Sequence, residues 1–304
     1  MSIGGYADPQ YLESLSEFGE TVLLPESGAG WLVRGIGGTD LLDARAPYPL
    51  LACQDWKALG SELARHSDWV SAVAVPDPLT APEPKVLRDN FPDACRPYKT
   101  HWVVRMDGGY AGPTSEGHRR NVRKGESTAF VSRVEPTSDA LCDWLRLYDR
   151  LVAKHRFDGI ARFSKRAFAQ QFAMSGMRIY AAKVGSKTVS MSLWLVDGER
   201  AYYHLGATNE RGYAARAPYA MFQVALSDLG ESGCSLVLLG AGAGIEEDAE
   251  DGLSRFKRGW SNESRQSYLC GRILDRTAYE RLGGDDGSSY FPAYRNPAAL
   301  AHCH

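Results

Sequence analysis

The segment EEDAEDGLSRFKRGW (246–260) sets five carboxylates, Glu246, Glu247, Asp248, Glu250 and Asp251, close to Arg255, Lys257 and Arg258, with Phe256 and Trp260 framing the lysine. A lysine beside aromatic rings is a poor core residue and a good contact for an anion. The acids read either as a solvated loop or as an attractor for a cationic amine, with Glu247 and Asp251 as its candidate contacts. GAGAG (240–244), just before them, lacks the lysine of a P-loop and the G-x-G-x-x-G spacing, and the carboxylates would repel a dinucleotide phosphate. A second basic segment, HRRNVRK (118–124), places Arg119 and Arg123 on one helical face and Arg120 and Lys124 on the next. It reads either as a phosphate-contacting surface or as a solvated helix face. In RAYYHLGAT (200–208), strand alternation puts Tyr202, His204 and Gly206 on one side, so His204 is either a proton acceptor in a cleft or a satisfied core histidine. The terminal AHCH is expected to be a tail rather than a metal site.

The chain that must position these residues has 304 residues, enough for two domains or one large α/β unit. With 44% hydrophobic and 24% charged residues it is globular in composition, and a net charge of −2 restricts any nucleic-acid contact to a local patch. The N-terminus lacks a basic and apolar leader and no stretch is apolar enough to span a bilayer, so the expected location is the cytoplasm, without stable membrane association. Cys53, Cys95, Cys142, Cys234, Cys270 and Cys303 form no C-x-x-C pair and read as reduced bystanders.

In the first half, 21–25, 30–36, 69–76 and 101–106 read as strands and 55–66 as an amphipathic helix, while VPDPLTAPEPK (75–85) reads as an exposed loop. The second half is more regular. A helix capped by Thr114 or Ser115 precedes the strand 129–135, then come helices over 136–156 and 164–176. Three strands follow, 178–185, 187–198 and 200–208, joined by Gly-Ser and Asp-Gly turns into an antiparallel meander. A helix (218–233), a strand (235–240), the short helix GLSRFKRGW, a strand (267–274) and a helix begun by Asp275 complete the order. The expected class is α+β: two domains with mixed, mostly antiparallel sheets flanked by helices, the C-terminal one clearer.

This order matches the fold of the GNAT acyltransferase superfamily. HRRNVRKG (118–125), YYHLGATNERGYAARAPYAMFQVAL (202–226) and LLGAGAGIEEDAEDGLSRFKRGW (238–260), in that order, resemble three blocks of the Fem family of aminoacyltransferases, in its acetyltransferase-domain branch. The likeness covers about residues 114–275. It implies a degenerate GNAT-like domain over 1–112, a Fem-like acyltransferase domain over 113–284 and a tail over 285–304. It further implies transfer of an acyl or aminoacyl group to an amine, often from aminoacyl-tRNA.

An amine that attacks an ester or thioester carbonyl needs both partners held, an oxyanion stabilised and a proton removed, with no covalent nucleophile on the protein. The resemblance implies that Lys257 places its ammonium at that oxyanion or at a donor phosphate; a solvated helix lysine is the competing reading. Phe256 and Trp260 read as supports of the lysine's helix, with stacking of Phe256 on a terminal adenine as the alternative. Arg119, Arg120, Arg123, Lys124, Arg216, Phe256 and Arg258 are the candidate donor contacts. Tyr203, Glu247 and Asp251 are the candidate acceptor contacts, and Lys257 and His204 the candidate catalytic groups. Acyl-CoA enzymes of this superfamily carry Q/R-x-x-G-x-G/A at the start of the helix after the meander, where glycines admit a pyrophosphate to backbone N–H groups. RGYAAR (211–216) has Ala214 and Arg216 there, and Pro218 removes a further donor. The eroded cradle favours aminoacyl-tRNA as donor, with no bound cofactor or metal, and a peptide, small molecule or cell-wall precursor as amine acceptor. An acyl-CoA N-acyltransferase and a non-catalytic binding module are the alternatives.

Overall fold

The computed structural model describes residues 4–107, 109–110, 112–155, 160, 162–244, 251–284 and 290–296. Its elements run α1 (Pro9–Ser14), β1 (Glu20–Leu23), β2 (Gly30–Gly35), β3 (Leu42–Arg45), α2 (Trp56–Ala64), β4 (Trp69–Ala74), α3 (Pro84–Asn90) and β5 (Ala94–Arg105). Then come α4 (Glu116–Thr128), β6 (Phe130–Val134), α5 (Ser138–His155), α6 (Lys165–Phe172), β7 (Met177–Val184), β8 (Lys187–Asp197), β9 (Arg200–Thr208), α7 (Glu210–Ala214) and α8 (Ala217–Glu231). The last are β10 (Leu236–Gly240), α9 (Gly252–Arg258), β11 (Glu263–Ile273) and α10 (Arg276–Arg281). The class is the expected one, mixed α+β with mostly antiparallel strands flanked by helices.

The chain forms two compact units that do not follow the boundaries expected from sequence. One comprises Met1–Ser14 with Lys99–Arg265, the other Leu15–Tyr98 with Gln266–His304. Position 112 therefore falls inside the first unit, because the end of β5 pairs with β10, Arg105 lying opposite Leu236. Residues 290–296, expected in a tail, fold into the second unit: Tyr294 is buried and its hydroxyl lies 2.7 Å from Ser71 Oγ.

In the first unit the strand order is β5-β10-β9-β8-β7-β6, antiparallel except for β9 with β10. The two-residue turn Gly185-Ser186 closes β7 onto β8; at the next turn Asp197 is still in register with Arg200, so the turn itself is Gly198-Glu199. Both glycines have positive φ (61° and 57°), the geometry such tight hairpins require. One face of the sheet packs Tyr180, Trp194, Val237 and Leu239 against Met221, Phe222, Leu226 and Leu229 of α8, Val122 of α4 and Trp260. On the other face Tyr202 and His204 meet the rings of Tyr6, Tyr11 and Phe163. Ser115 is the residue that caps α4, its hydroxyl accepting from His118 N–H at 3.2 Å.

The second unit orders its strands β1-β2-β3-β4-β11, with β3 and β4 parallel. Its core is Trp31, Trp56, Leu59, Leu63, Trp69 and Phe91. Two elements escaped the sequence reading here. LDAR (42–45) is too short and too polar to show strand alternation, and α3 is only seven residues long. The stretch 75–85 is not an exposed loop: Pro76, Asp77 and Pro78 are buried, and the Asp77 carboxylate accepts from Leu79 N–H at 2.9 Å. Cys95 and Cys270, far apart in sequence, have their sulfurs 3.9 Å apart, and both are free.

Candidate active site

The lysine that stands out in sequence also stands out in space. Asp251 caps α9, its Oδ1 accepting from Leu253 N–H at 2.7 Å and Ser254 N–H at 3.1 Å, and the short helix carries Lys257 inward. Three contacts fix the far end of α9. Trp260 is fully buried, Tyr110 Oη donates to Trp260 O at 2.7 Å, and Thr114 N–H donates to Gly259 O at 2.9 Å. Truncating a tryptophan this deeply buried costs on the order of 3–5 kcal/mol, so the anchor is a strong one.

Lys257 is 6% exposed. Its Nζ donates to Ala241 O at 2.6 Å and sits 5.5 Å from the centre of the Tyr203 ring. The glycine-rich strand end makes this possible. Gly240 has φ 83°, and a Cβ there would stand 3.2 Å from Lys257 Nζ, while Gly242 lies so close to Asp251 and Ser254 that a side chain would collide with both. GAGAG is thus the collar of the lysine, not a phosphate cradle.

The surrounding sheet opens where Nζ lies. β9 and β10 are in register from Arg200 and Leu236 to Tyr202 and Leu238, beyond which β9 continues with β8 alone and β10 with β5 alone, through a register shift between Leu238 and Gly240. β9 also carries a bulge: Trp194 pairs with Tyr203 and Leu193 with Leu205, so His204 is the extra residue. The bulge breaks the alternation expected from sequence. Gly206 faces the side of Tyr203 rather than that of His204, and a methyl group on it would overlap the Tyr203 hydroxyl.

Burial pushes the Lys257 ammonium down to about 7; Lys99 adds to the fall and Asp251 opposes it. Lys99 and His101, both on β5 and both buried, were not singled out in the sequence. Lys99 Nζ donates to Ala243 O at 3.3 Å and to Gly244 O. His101 is held neutral, pushed to about 3 by burial, then by Lys257 and Lys99, and its Nδ1 has no hydrogen-bond partner among the described residues. The available signal was a lysine and a histidine two residues apart on one face of a strand, hidden because the sequence reading starts the strand at 101, after Lys99.

The other sequence candidates separate clearly. His204 lies on the opposite face of β9 from Tyr203 and Lys257, with Tyr6 Oη 3.3 Å from its Nδ1 and Gln171 Oε1 3.3 Å from its Nε2. Burial lowers it to about 3, so it is a neutral, satisfied core histidine, away from Lys257. Arg119 and Arg123 are drawn back onto their own helix by Glu116, at 3.0 Å each. Arg120 and Lys124 are exposed and make no ion pair among the described residues, leaving α4 one charged edge. Arg258 is exposed on α9. Phe256 packs edge-on against Tyr219 and Phe222 and supports the helix. Tyr203 lies between Trp194 and Phe222 and presents its ring to Lys257. Glu247 and the acids 246–250 lie outside the described residues. A link missed in sequence is His118: its Nε2 is 2.9 Å from Phe256 O and its Nδ1 2.8 Å from Ser115 Oγ, which ties the start of α4 to the helix of Lys257.

Arg216 caps α8 with φ 57°, a left-handed conformation that a non-glycine residue rarely adopts. Around it several backbone donors are already spent. Gly212 N–H goes to Asn209 Oδ1, Ala215 N–H to Arg211 O, Arg216 N–H to Tyr213 O and Tyr219 N–H to Arg216 O. Gly125 of α4 packs against the Arg216 carbonyl, and Thr128 Oγ1 donates to Ala215 O at 2.6 Å.

Residues 114–258 match the family model of the acetyltransferase (GNAT) domain. Among solved structures, FemX is similar with a TM-score of 0.67 at 12% identity, over 90% of this chain and 93% of that one. The C-terminal domain of a putative lysylphosphatidylglycerol synthetase from Agrobacterium fabrum gives 0.60 at 14% identity, over 88% of each chain. L-PGS from Bacillus licheniformis gives 0.58 at 14%, over 91% of this chain and 95% of that one. These likenesses establish the fold. No curated protein sequence matches the chain. Among the described residues no helix is long and apolar enough to cross a membrane, and no group of three His, Cys, Asp or Glu could hold a metal ion.

Proposed function

We propose that the chain, an acyltransferase with a GNAT domain match over 114–258 and a fold similar to that of FemX, moves an aminoacyl group from aminoacyl-tRNA to an amine acceptor. The observation that carries this reading is the buried Lys257 ammonium, anchored on Ala241 O where β9 and β10 part. In the proposed reaction the acceptor nitrogen attacks the ester carbonyl, the C–N bond forms, and the negative charge on the carbonyl oxygen is met by Lys257 Nζ–H. Collapse of that oxyanion breaks the bond to the ribose oxygen, which leaves as the hydroxyl of free tRNA while the new amide sheds its proton. A fixed donor in a dry site stabilises such an oxyanion without reorganising.

Two features support RNA rather than CoA as the carrier. The turn before α8 has the N–H groups of Gly212, Ala215, Arg216 and Tyr219 committed to Asn209, Arg211, Tyr213 and Arg216, which takes several backbone donors away from a pyrophosphate. The exposed pair Arg120 and Lys124 gives a nearly neutral chain a local contact for a phosphate backbone. The second reading, an acyl-CoA N-acyltransferase, draws on the match to an acetyltransferase domain. The proposed setting is the cytoplasm, with no resident cofactor.

The test is reconstitution. Purified chain, candidate amines, amino acid, ATP, tRNA and the matching synthetase should give an amide visible by mass spectrometry, and ribonuclease or omission of the synthetase should abolish it. Product from acyl-CoA and amine alone, unaffected by ribonuclease, selects the second reading.

A further inference from the structure

In the second unit one guanidinium, that of Arg45, makes no ion pair among the described residues. Arg34 of β2 lies opposite Asp43 of β3, and Arg45 follows two residues on, so all three share one face of the sheet. Asp43, 1% exposed, is already saturated: Arg34 Nη2 at 3.1 Å, Arg295 Nε at 2.8 Å and Nη2 at 3.0 Å, and the Tyr294 hydroxyl at 3.3 Å. One carboxylate thus serves two guanidiniums, and a third, Arg45, makes no hydrogen bond or ion pair among the described residues. The Nε atoms of Arg34 and Arg45 are both fully enclosed and without a partner. Tyr48 and Tyr290 lie within electrostatic reach of Arg45, and Tyr98 adjoins both. Burial, then Arg34, holds the Arg45 guanidinium down to about 10, so it is still charged at neutral pH.

A half-buried cation without an ion pair, its Nε enclosed and unpartnered, is costly to keep, and replacing it with an apolar residue of similar volume is normally neutral or stabilising. A guanidinium fork ringed by phenols is also the arrangement that receives a planar or tetrahedral oxyanion. We propose that Arg45, with Arg34 and the surrounding tyrosines Tyr48 and Tyr290, forms a binding site for an oxyanion, the phosphate or carboxylate group of a ligand. This inference does not rest on the identity of the acyl donor, and either outcome for the transferase reading leaves it standing.

The experiment titrates the full-length chain with inorganic phosphate, pyrophosphate and citrate at constant ionic strength in chloride, read by calorimetry and by thermal melting. The phosphate and citrate arms separate the two oxyanion classes. Wild type should bind at least one probe saturably and melt higher in its presence. Arg45→Leu should weaken that binding tenfold or more, while melting no lower than wild type in chloride alone. Arg45→Lys, which keeps the charge but not the fork, should fold and bind with intermediate strength. Equal binding by wild type and Arg45→Leu, or no binding of any probe by wild type, would overturn the site. So would a large loss of melting temperature in both variants in chloride alone, since it would reveal an internal counter-charge for Arg45.

Discussion

Replacing Lys257 with methionine should do two opposite things at once. The folded chain holds this ammonium at about 7 against an ordinary value of 10.5. A gap of 3.5 units, at 1.36 kcal/mol each, makes burial of the charge cost at most about 5 kcal/mol. The sign follows from proton counting. Between about pH 7 and pH 10.5 the unfolded chain binds the proton that the folded chain has shed, so stability climbs with pH across that window, and the cost is fully present below it. Methionine keeps most of the stem and has no charge to bury, though it loses the hydrogen bond to Ala241 O. Lys257→Met should therefore gain roughly 2–4 kcal/mol at neutral pH and lose the alkaline rise in stability. In melting temperature that is several degrees, at ~2–4 °C per kcal/mol for a unit of this size. Turnover should fall ~10²–10³-fold, as for loss of one oxyanion donor. The assays are denaturant titration across pH 6–10 and steady-state kinetics. A variant with near-native turnover refutes the role in transfer, and one markedly less stable than wild type refutes the account of the lysine as a destabilising, functionally retained charge.

Three further substitutions separate the groups around this centre. Gly240→Ala places a methyl group 3.2 Å from Lys257 Nζ on a left-handed backbone, and it should cost ~1–2 kcal/mol of stability and lower kcat more than it raises KM; unchanged kcat would show that the collar does not set the lysine. The double change Arg120→Glu/Lys124→Glu should raise donor KM and flatten its salt dependence at nearly constant kcat, whereas identical salt slopes in wild type and variant leave α4 a solvated face. His204→Ala removes a core ring packed on Tyr6, Tyr11 and Phe163 and should cost ~2–4 kcal/mol with little change in kcat of the folded fraction. A selective collapse of kcat at full stability would return His204 to the chemistry.

What the sequence disclosed and what it hid follow the range of each interaction. The meander and α4, α5 and α8 were legible because their signals, strand alternation, helical spacing, glycine turns and the Ser115 cap, are local. Lys257 was legible because its neighbours in the chain, Phe256, Trp260 and Asp251, are also the residues that position it. Gly206 misled because a single bulge, set by the pairing with Leu193 and Trp194, turns it to the side of Tyr203, while Tyr202 and His204 keep the shared face that alternation gives them. Lys99 and His101 were missed because their significance arises only when β5 is laid beside β10. The unit boundaries were missed for the same reason: the partners of β5 come from residues more than a hundred positions later, and no composition shift marks that exchange. Arg119 and Arg123, which read either as phosphate contacts or as a solvated helix face, both pair with Glu116, three and seven residues earlier.

The central claim, direct aminoacyl transfer from tRNA without a covalent enzyme intermediate, is tested most directly by a single-turnover reaction with purified aminoacyl-tRNA labelled in its aminoacyl group. With enzyme in excess over donor and an accepted amine present, the label should pass from the RNA ester to the acceptor amide in one phase. No label should be trapped on the protein by acid quench at any time, and Lys257→Met should slow that phase ~10²–10³-fold. Label accumulating on the protein before product, or an equal rate of amide formation from acyl-CoA with no RNA present, would contradict the account.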